Sequence, residues 1–105
     1  MFSRDIDWQS GLVTFWDLDF LDPTVPVLAQ LSGLKEDLAQ ISYGGQIALD
    51  VGWYPEFSEA GAFVVRVVRI DDWETPLFIE EHRSVQELAH SMSRAARVAE
   101  AAWEI

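Results

Sequence analysis

Between Gln46 and Ile70 the hydrophobic and polar positions spell two strands in succession. In Gln46 to Tyr54, Ile47, Leu49, Val51 and Trp53 alternate with Gln46, Ala48, Asp50, Gly52 and Tyr54, the period of a strand with one apolar face. Pro55 stops this strand, and the connection PEFSEAG leads into Ala62 to Ile70, AFVVRVVRI. That second stretch is apolar on both faces apart from Arg66 and Arg69, a profile that suits a central position in a sheet. Arginines on opposite faces of a central strand need partners, and Asp50 with its neighbouring acids can supply them.

The same alternation predicts a strand over Leu12 to Phe20, with Leu12, Thr14, Trp16, Leu18 and Phe20 on one face and Val13, Phe15, Asp17 and Asp19 on the other. Asp17, Asp19 and Asp22 then serve either to protect a sheet edge or to bind. Asp71-Asp72-Trp73-Glu74-Thr75-Pro76 reads as a hairpin loop, after which Leu77 to Glu81 resumes a strand pattern. Met1 to Ser10 fits either a short edge strand or an irregular arm.

Two regions have helical spacing instead. After Asp22-Pro23, where Asp22 is placed as a cap, Leu28, Leu31, Leu34, Leu38 and Ile41 recur at three and four, interrupted at Ser32-Gly33 and ended by Gly44-Gly45. Ser84-Val85-Gln86-Glu87 is a capping box, and Val85, Leu88, Met92, Ala95, Ala99 and Ala102 form the stripe of a long helix ending near Trp103. His90, Ser91, Arg94, Arg97 and Glu100 fall off that stripe, on the expected solvated face.

The expected fold is α+β, a single domain over residues 1–105. It has a four-stranded, mostly antiparallel sheet with the Leu-rich helical segment and the C-terminal helix packed on one face. Short connections make a meander from Gln46 onward, and the first strand joins through the Leu-rich region. Ile47, Leu49, Val51 and Trp53 face the core, which leaves the opposite sheet face exposed.

Composition narrows the function classes. With 50% hydrophobic residues the chain is too apolar for disorder, and its apolar runs fall short of the roughly 18 residues of a membrane span. The start shows no secretory signal, so the expected compartment is the cytoplasm, and the absence of Cys agrees with a reducing one. Eighteen acidic residues against seven basic ones give a formal charge of -11, which repels nucleic acid and anionic membranes alike.

The charge is uneven. Asp5 to Asp22 holds five acids and no base, and Asp50 to Glu81 holds eight acids against Arg66 and Arg69. From Arg83 to Ile105 the count is three against three. A solubility surface and a binding surface for a basic partner are both open readings.

Catalytic signatures are missing. His82 and His90 lack the spacing of a helical metal pair, and Glu80-Glu81-His82 needs a third ligand from elsewhere. There is no thiol nucleophile, Gly-rich phosphate loop or serine elbow, and Asp71-Asp72 lacks a convergent histidine. The chain is expected to be no enzyme and to use no cofactor or metal.

The run LKEDLAQISYGGQIALDVGWYPEF, continuing through AFVVRVVRIDDWETPLF to a helix starting RSVQEL, resembles immunity proteins of bacterial contact-dependent growth inhibition and related polymorphic toxin systems. The resemblance covers about Leu34 to Ala102 and rests on the order of DVGWYPE, the valine-rich strand, the DWE-P turn and the closing helix. It implies a small cytoplasmic antidote that binds the C-terminal domain of its cognate toxin. Many such toxins are nucleases with basic clefts, which an acidic protein matches in charge. The expected toxin-binding residues are Asp71, Asp72, Trp73 and Glu74 with Trp53, Tyr54 and Glu56. Trp73 has two readings, a lid over the core or an exposed anchor. The competing function class is a small α+β ligand- or peptide-binding module, and a third is a diverged catalytic domain.

Overall fold

A computed structural model describes residues 1–104. Its sheet has five strands in the order of the chain: β1 (Leu12–Trp16), β2 (Ala39–Tyr43), β3 (Ile47–Tyr54), β4 (Ala62–Arg69) and β5 (Phe78–His82). Every neighbouring pair is antiparallel, so the whole sheet is a meander. A 3-10 segment spans Val27–Gly33, and α1 spans Val85–Trp103.

The α+β class, the meander after Gln46 and the C-terminal helix agree with the sequence reading, whereas the count of four strands does not. Ala39–Tyr43, expected to continue the Leu-rich helix, is strand β2. Ala39, Ile41 and Tyr43 are buried, with half-buried Gln40 and Ser42 between them, so a two-residue period overrides the three-and-four spacing of the leucines. Gly44-Gly45-Gln46 is therefore a hairpin turn between Tyr43 and Ile47 rather than a helix end. Gly44 has φ +60, and the Trp103 indole lies where a Cβ would stand, so the hairpin tip seats the end of α1.

Asp22 does not cap a helix. Its carboxylate accepts from Thr24 N and Oγ1 at 2.8 and 2.7 Å, a local turn, and the 3-10 segment begins five residues later. The first strand is also shorter than expected. Its register slips between Val13 and Phe15, so Thr14 is bulged out and the face alternation breaks there. The N-terminal residues form an irregular arm with a 3-10 turn at Ser3–Asp5, and Ile6 and Trp8 are buried.

The core lies on one side of the sheet. Ile47, Leu49, Val51 and Trp53 are at most 1% exposed, and they pack with Phe63, Val65 and Val67 of β4 against Leu88, Met92, Ala95, Ala96 and Ala99 of α1. Ser84 caps α1 by accepting from Glu87 N at 3.1 Å, one half of the expected capping box; the Glu87 carboxylate accepts from the Ser84 hydroxyl at 3.0 Å in place of the Ser84 amide. Ser91 corrects the expected solvated face: it is fully buried between helix and sheet. Leu18, Leu21, Leu34 and Leu38 close the same core, and among the described residues no helix packs on the other sheet face.

Candidate functional site

Cross-strand register orders that open face into rows. The central row runs Phe15, Gln40, Asp50, Arg66, Ile79, one residue from each strand. A second runs Leu12, Ser42, Ala48, Val68. Leu12, Phe15 and Ile79 on the edge strands are 68, 45 and 56% exposed, whereas Asp50 at the centre is 7% exposed. The face thus exposes Leu12, Phe15 and Ile79 near its edges and carries one charged pair, Asp50 and Arg66, in its middle, beside Ala48 and Val68, which are buried.

Asp50 and Arg66 sit on β3 and β4 as a directly opposed pair, with Oδ2 3.6 Å from Nε. That gap is too long for a hydrogen bond, and the buried Nε of Arg66 has no other partner among the described residues. The guanidinium carbon lies 5.4 Å from the centre of the Tyr54 ring, in cation–π range. Burial pushes the Asp50 carboxyl above its usual range; Arg66 opposes the shift and Asp37 adds to it. Burial likewise raises the Tyr54 phenol, with Asp50 contributing.

Beside this pair a cavity of about 320 Å³ is lined by Phe15, Asp37, Ala39, Gln40 and Asp50. The segment Lys35 to Leu38 runs along β3 to form its wall, with Lys35 O accepting from Trp53 N at 2.8 Å and Leu38 N donating to Val51 O at 3.0 Å. Gly52 is required for this approach, because a Cβ there would overlap the Glu36 carbonyl oxygen. Glu36 N in turn donates to Glu56 Oε1 at 3.3 Å, which brings the Tyr54 to Glu56 end of β3 next to Glu36 and Asp37.

The expected contact residues separate into three groups. Trp53 belongs to the core: it is 0% exposed, stacks edge-on against Phe63 at 5.0 Å, and donates from Nε1 to Ser58 O at 2.9 Å. Its place on the apolar face of β3 already carries that assignment. Tyr54 is half-buried on the open face, and Glu56 is exposed beyond it. Asp71, Asp72, Trp73 and Glu74 are exposed in the β4–β5 hairpin, with Trp73 39% exposed.

The two ends are not adjacent. Ile47 pairs with Arg69 at one end of the β3–β4 ladder and Tyr54 with Ala62 at the other, so seven strand steps, about 23 Å, lie between them. The Asp50–Arg66 pair agrees with the expected partnering. Arg69 is exposed, and no ion pair to it is present among the described residues.

Phe15, Asp37 and Gln40 were not among the expected contacts. Alternation sets Phe15 on the face of Val13, and the bulge at Thr14 separates the two and turns Phe15 to the row of Asp50; Asp37 and Gln40 were hidden by the helical reading of the Leu-rich stretch. On the helix side, Glu80 joins Arg94 Nη2 at 2.6 Å and His82 Nε2 at 2.7 Å. Those groups tie β5 to α1 and lie on the core side. Among the described residues no three metal-ligating side chains converge.

Across the molecule, Lys35–Asp17, Arg66–Asp50 and Arg94–Glu80 are the carboxylate pairs of Lys and Arg among the described residues. Most of the eighteen acids therefore project uncompensated charge. No helix among those residues is long and apolar enough to cross a membrane. Compared with protein-family models, with curated proteins and with solved structures, the chain gives no significant match to any.

Proposed function

We propose that this chain is an immunity-type inhibitor that binds a basic toxin domain, a nuclease in the simplest case, in the cytoplasm and neutralises it by stoichiometric contact. The observation that carries this is the open sheet face: exposed Leu12, Phe15 and Ile79 around the Asp50–Arg66 pair, on a chain of net charge -11. Uncompensated acids draw a basic partner in quickly, and the exposed apolar side chains supply the area whose burial holds it.

Size decides how far the contact extends. Five strands about 4.8 Å apart and five to eight residues long give a face of roughly 400 Å² in projection, against about 800 Å² per partner in a standard complex. The face alone is too small. Its natural extension is toward Tyr54 and Glu56, because Asp37 lines the cavity and its neighbour Glu36 donates from its backbone N to Glu56. The Asp71 to Glu74 hairpin, about 23 Å away, then acts through its charge during approach. Trp53 contributes through the core alone.

The test is co-expression of the chain with the C-terminal domain of a secreted toxin encoded next to it. Rescue of growth and co-purification of the two chains support the reading; a bound chain without rescue, or no binding, removes it for that toxin.

A further inference from the structure

Beyond the general match of acid to base, the cavity beside Asp50 has the chemistry of a receptor for one side chain. Resting on the inhibitor reading above, we propose that Phe15, Asp37, Gln40 and Asp50 receive a single arginine side chain of the partner protein, its guanidinium stacked on Phe15 and facing the two carboxylates. At about 320 Å³ the cavity is at the small end of ligand pockets, a size for one side chain rather than a larger ligand.

Three features converge on that occupant: the buried Asp50 carboxylate, the Phe15 ring and the acceptors at the rim. The Asp50 side chain is 10% exposed; the Gln40 side chain favours its charged form, but no hydrogen bond closes its 3.6 Å gap to Arg66, so its charge is only partly answered from within the chain. Burial has already raised its proton affinity, and a second cation in the cavity would relieve that cost. Phe15 is 45% exposed at the cavity wall and offers a flat ring, which a planar guanidinium matches better than an ammonium does. Asp37 and the Gln40 side chain add acceptors at the rim, and a guanidinium has five donors to distribute among them.

Charge excludes the alternatives on the same face. A second copy of this chain would bring another -11. A phosphate or nucleic acid would meet Asp37 and Asp50 before Arg66.

The experiment is an amide-shift titration of the full chain at pH 7 with N-acetyl-arginine amide, using N-acetyl-citrulline amide as the neutral isostere. Saturable shifts centred on Phe15, Gln40 and Asp50, absent with citrulline, are expected. Phe15→Ala and Asp37→Asn, both at exposed positions, should each weaken the response about threefold while leaving the rest of the spectrum unchanged. Asp50→Asn is a further variant, and the two exposed ones keep the test decisive where that buried change unfolds the chain. Shifts spread evenly over the acidic segments, equal shifts with citrulline, or wild-type responses from Phe15→Ala and Asp37→Asn would overturn the pocket. The toxin assay separates the two levels. Neutralisation that survives both exposed variants at wild-type potency overturns the pocket and leaves the inhibitor reading standing. Arginine binding at the pocket with no toxin bound removes the inhibitor reading for that toxin alone.

Discussion

Arg94 of α1 holds Glu80 of β5 at two points, with Nη2 2.6 Å from Oε1 and Nε 3.2 Å from Oε2. The clasp joins an edge strand to the helix that covers the core, and His82 adds a third contact to Glu80 at 2.7 Å. Arg94 first and His82 second hold the Glu80 carboxyl down to about 2, from 4.5. A carboxyl whose folded value is depressed contributes stability that is complete above its unfolded value and lost as pH falls through the folded one. The contribution of Glu80 is therefore present at pH 7 and disappears between about pH 4.5 and about pH 2. Glu80→Gln should destabilise by about 1 kcal/mol at pH 7, and urea denaturation across that window should show a flatter acid limb than the parent. Equal acid limbs would mean that the clasp is not coupled to folding.

Gly52 holds the acidic segment against β3. A methyl at this position overlaps the Glu36 carbonyl oxygen, which is backbone and has little room to yield. Gly52→Ala should cost about 2 kcal/mol or more in urea denaturation, in the range of overpacked interiors, and should displace Glu36 and Asp37. The amide signals of those two residues should move furthest from their parent positions.

Trp53 and Tyr54 are neighbours with opposite duties. Trp53→Phe removes the donor to Ser58 O and some core volume, so it should lower stability by about 1–2 kcal/mol while toxin affinity stays at the parent value. Tyr54→Ala should do the reverse, with a modest loss of stability and a faster dissociation rate. Paired denaturation and binding kinetics separate the two effects, and a toxin-affinity loss confined to Trp53→Phe would contradict the placement of the interface.

The two acidic ends should act on different rate constants. Replacing Asp71, Asp72 and Glu74 together by Ala should slow association by about threefold at low salt and leave the lifetime of the complex unchanged. Replacing Glu36, Asp37 and Glu56 by their amides should shorten the lifetime about tenfold. Stopped-flow association at two salt concentrations, with dissociation by competition, measures both. A long lifetime that depends on the Asp71 to Glu74 hairpin would move the interface to the opposite end of the sheet.

What was legible in the chain follows from how each pattern is made. Alternation in β3, the valine-rich run of β4 and the Ser84 cap on Glu87 each carry one pattern, and all three match the structure. The stretch from Leu28 to Tyr43 carries two. Leu28, Leu31, Leu34, Leu38 and Ile41 step by three and four, while Ala39, Ile41 and Tyr43 step by two, and pairing with β3 selects the second. The helical pattern thus concealed a strand, the hairpin at Gly44-Gly45 and three of the residues that line the cavity, Asp37, Ala39 and Gln40. The bulge at Thr14 is a second such case, since a register slip leaves no mark on side-chain alternation yet moves Phe15 onto the row of Asp50. For the expected contacts, the placement of Trp53 follows from its own strand face, whereas the separation of Tyr54 from Asp71 needed the β3–β4 register.

Stoichiometric inhibition has one direct measurement: titrating a fixed amount of active toxin domain with the purified chain while following toxin activity and the mass of the complex. Activity should fall linearly to zero at one equivalent, with a single species of 1:1 mass. Loss of activity at a small fraction of an equivalent would indicate catalytic inactivation, and full activity beyond one equivalent at concentrations of both chains well above any specific Kd would contradict inhibition outright.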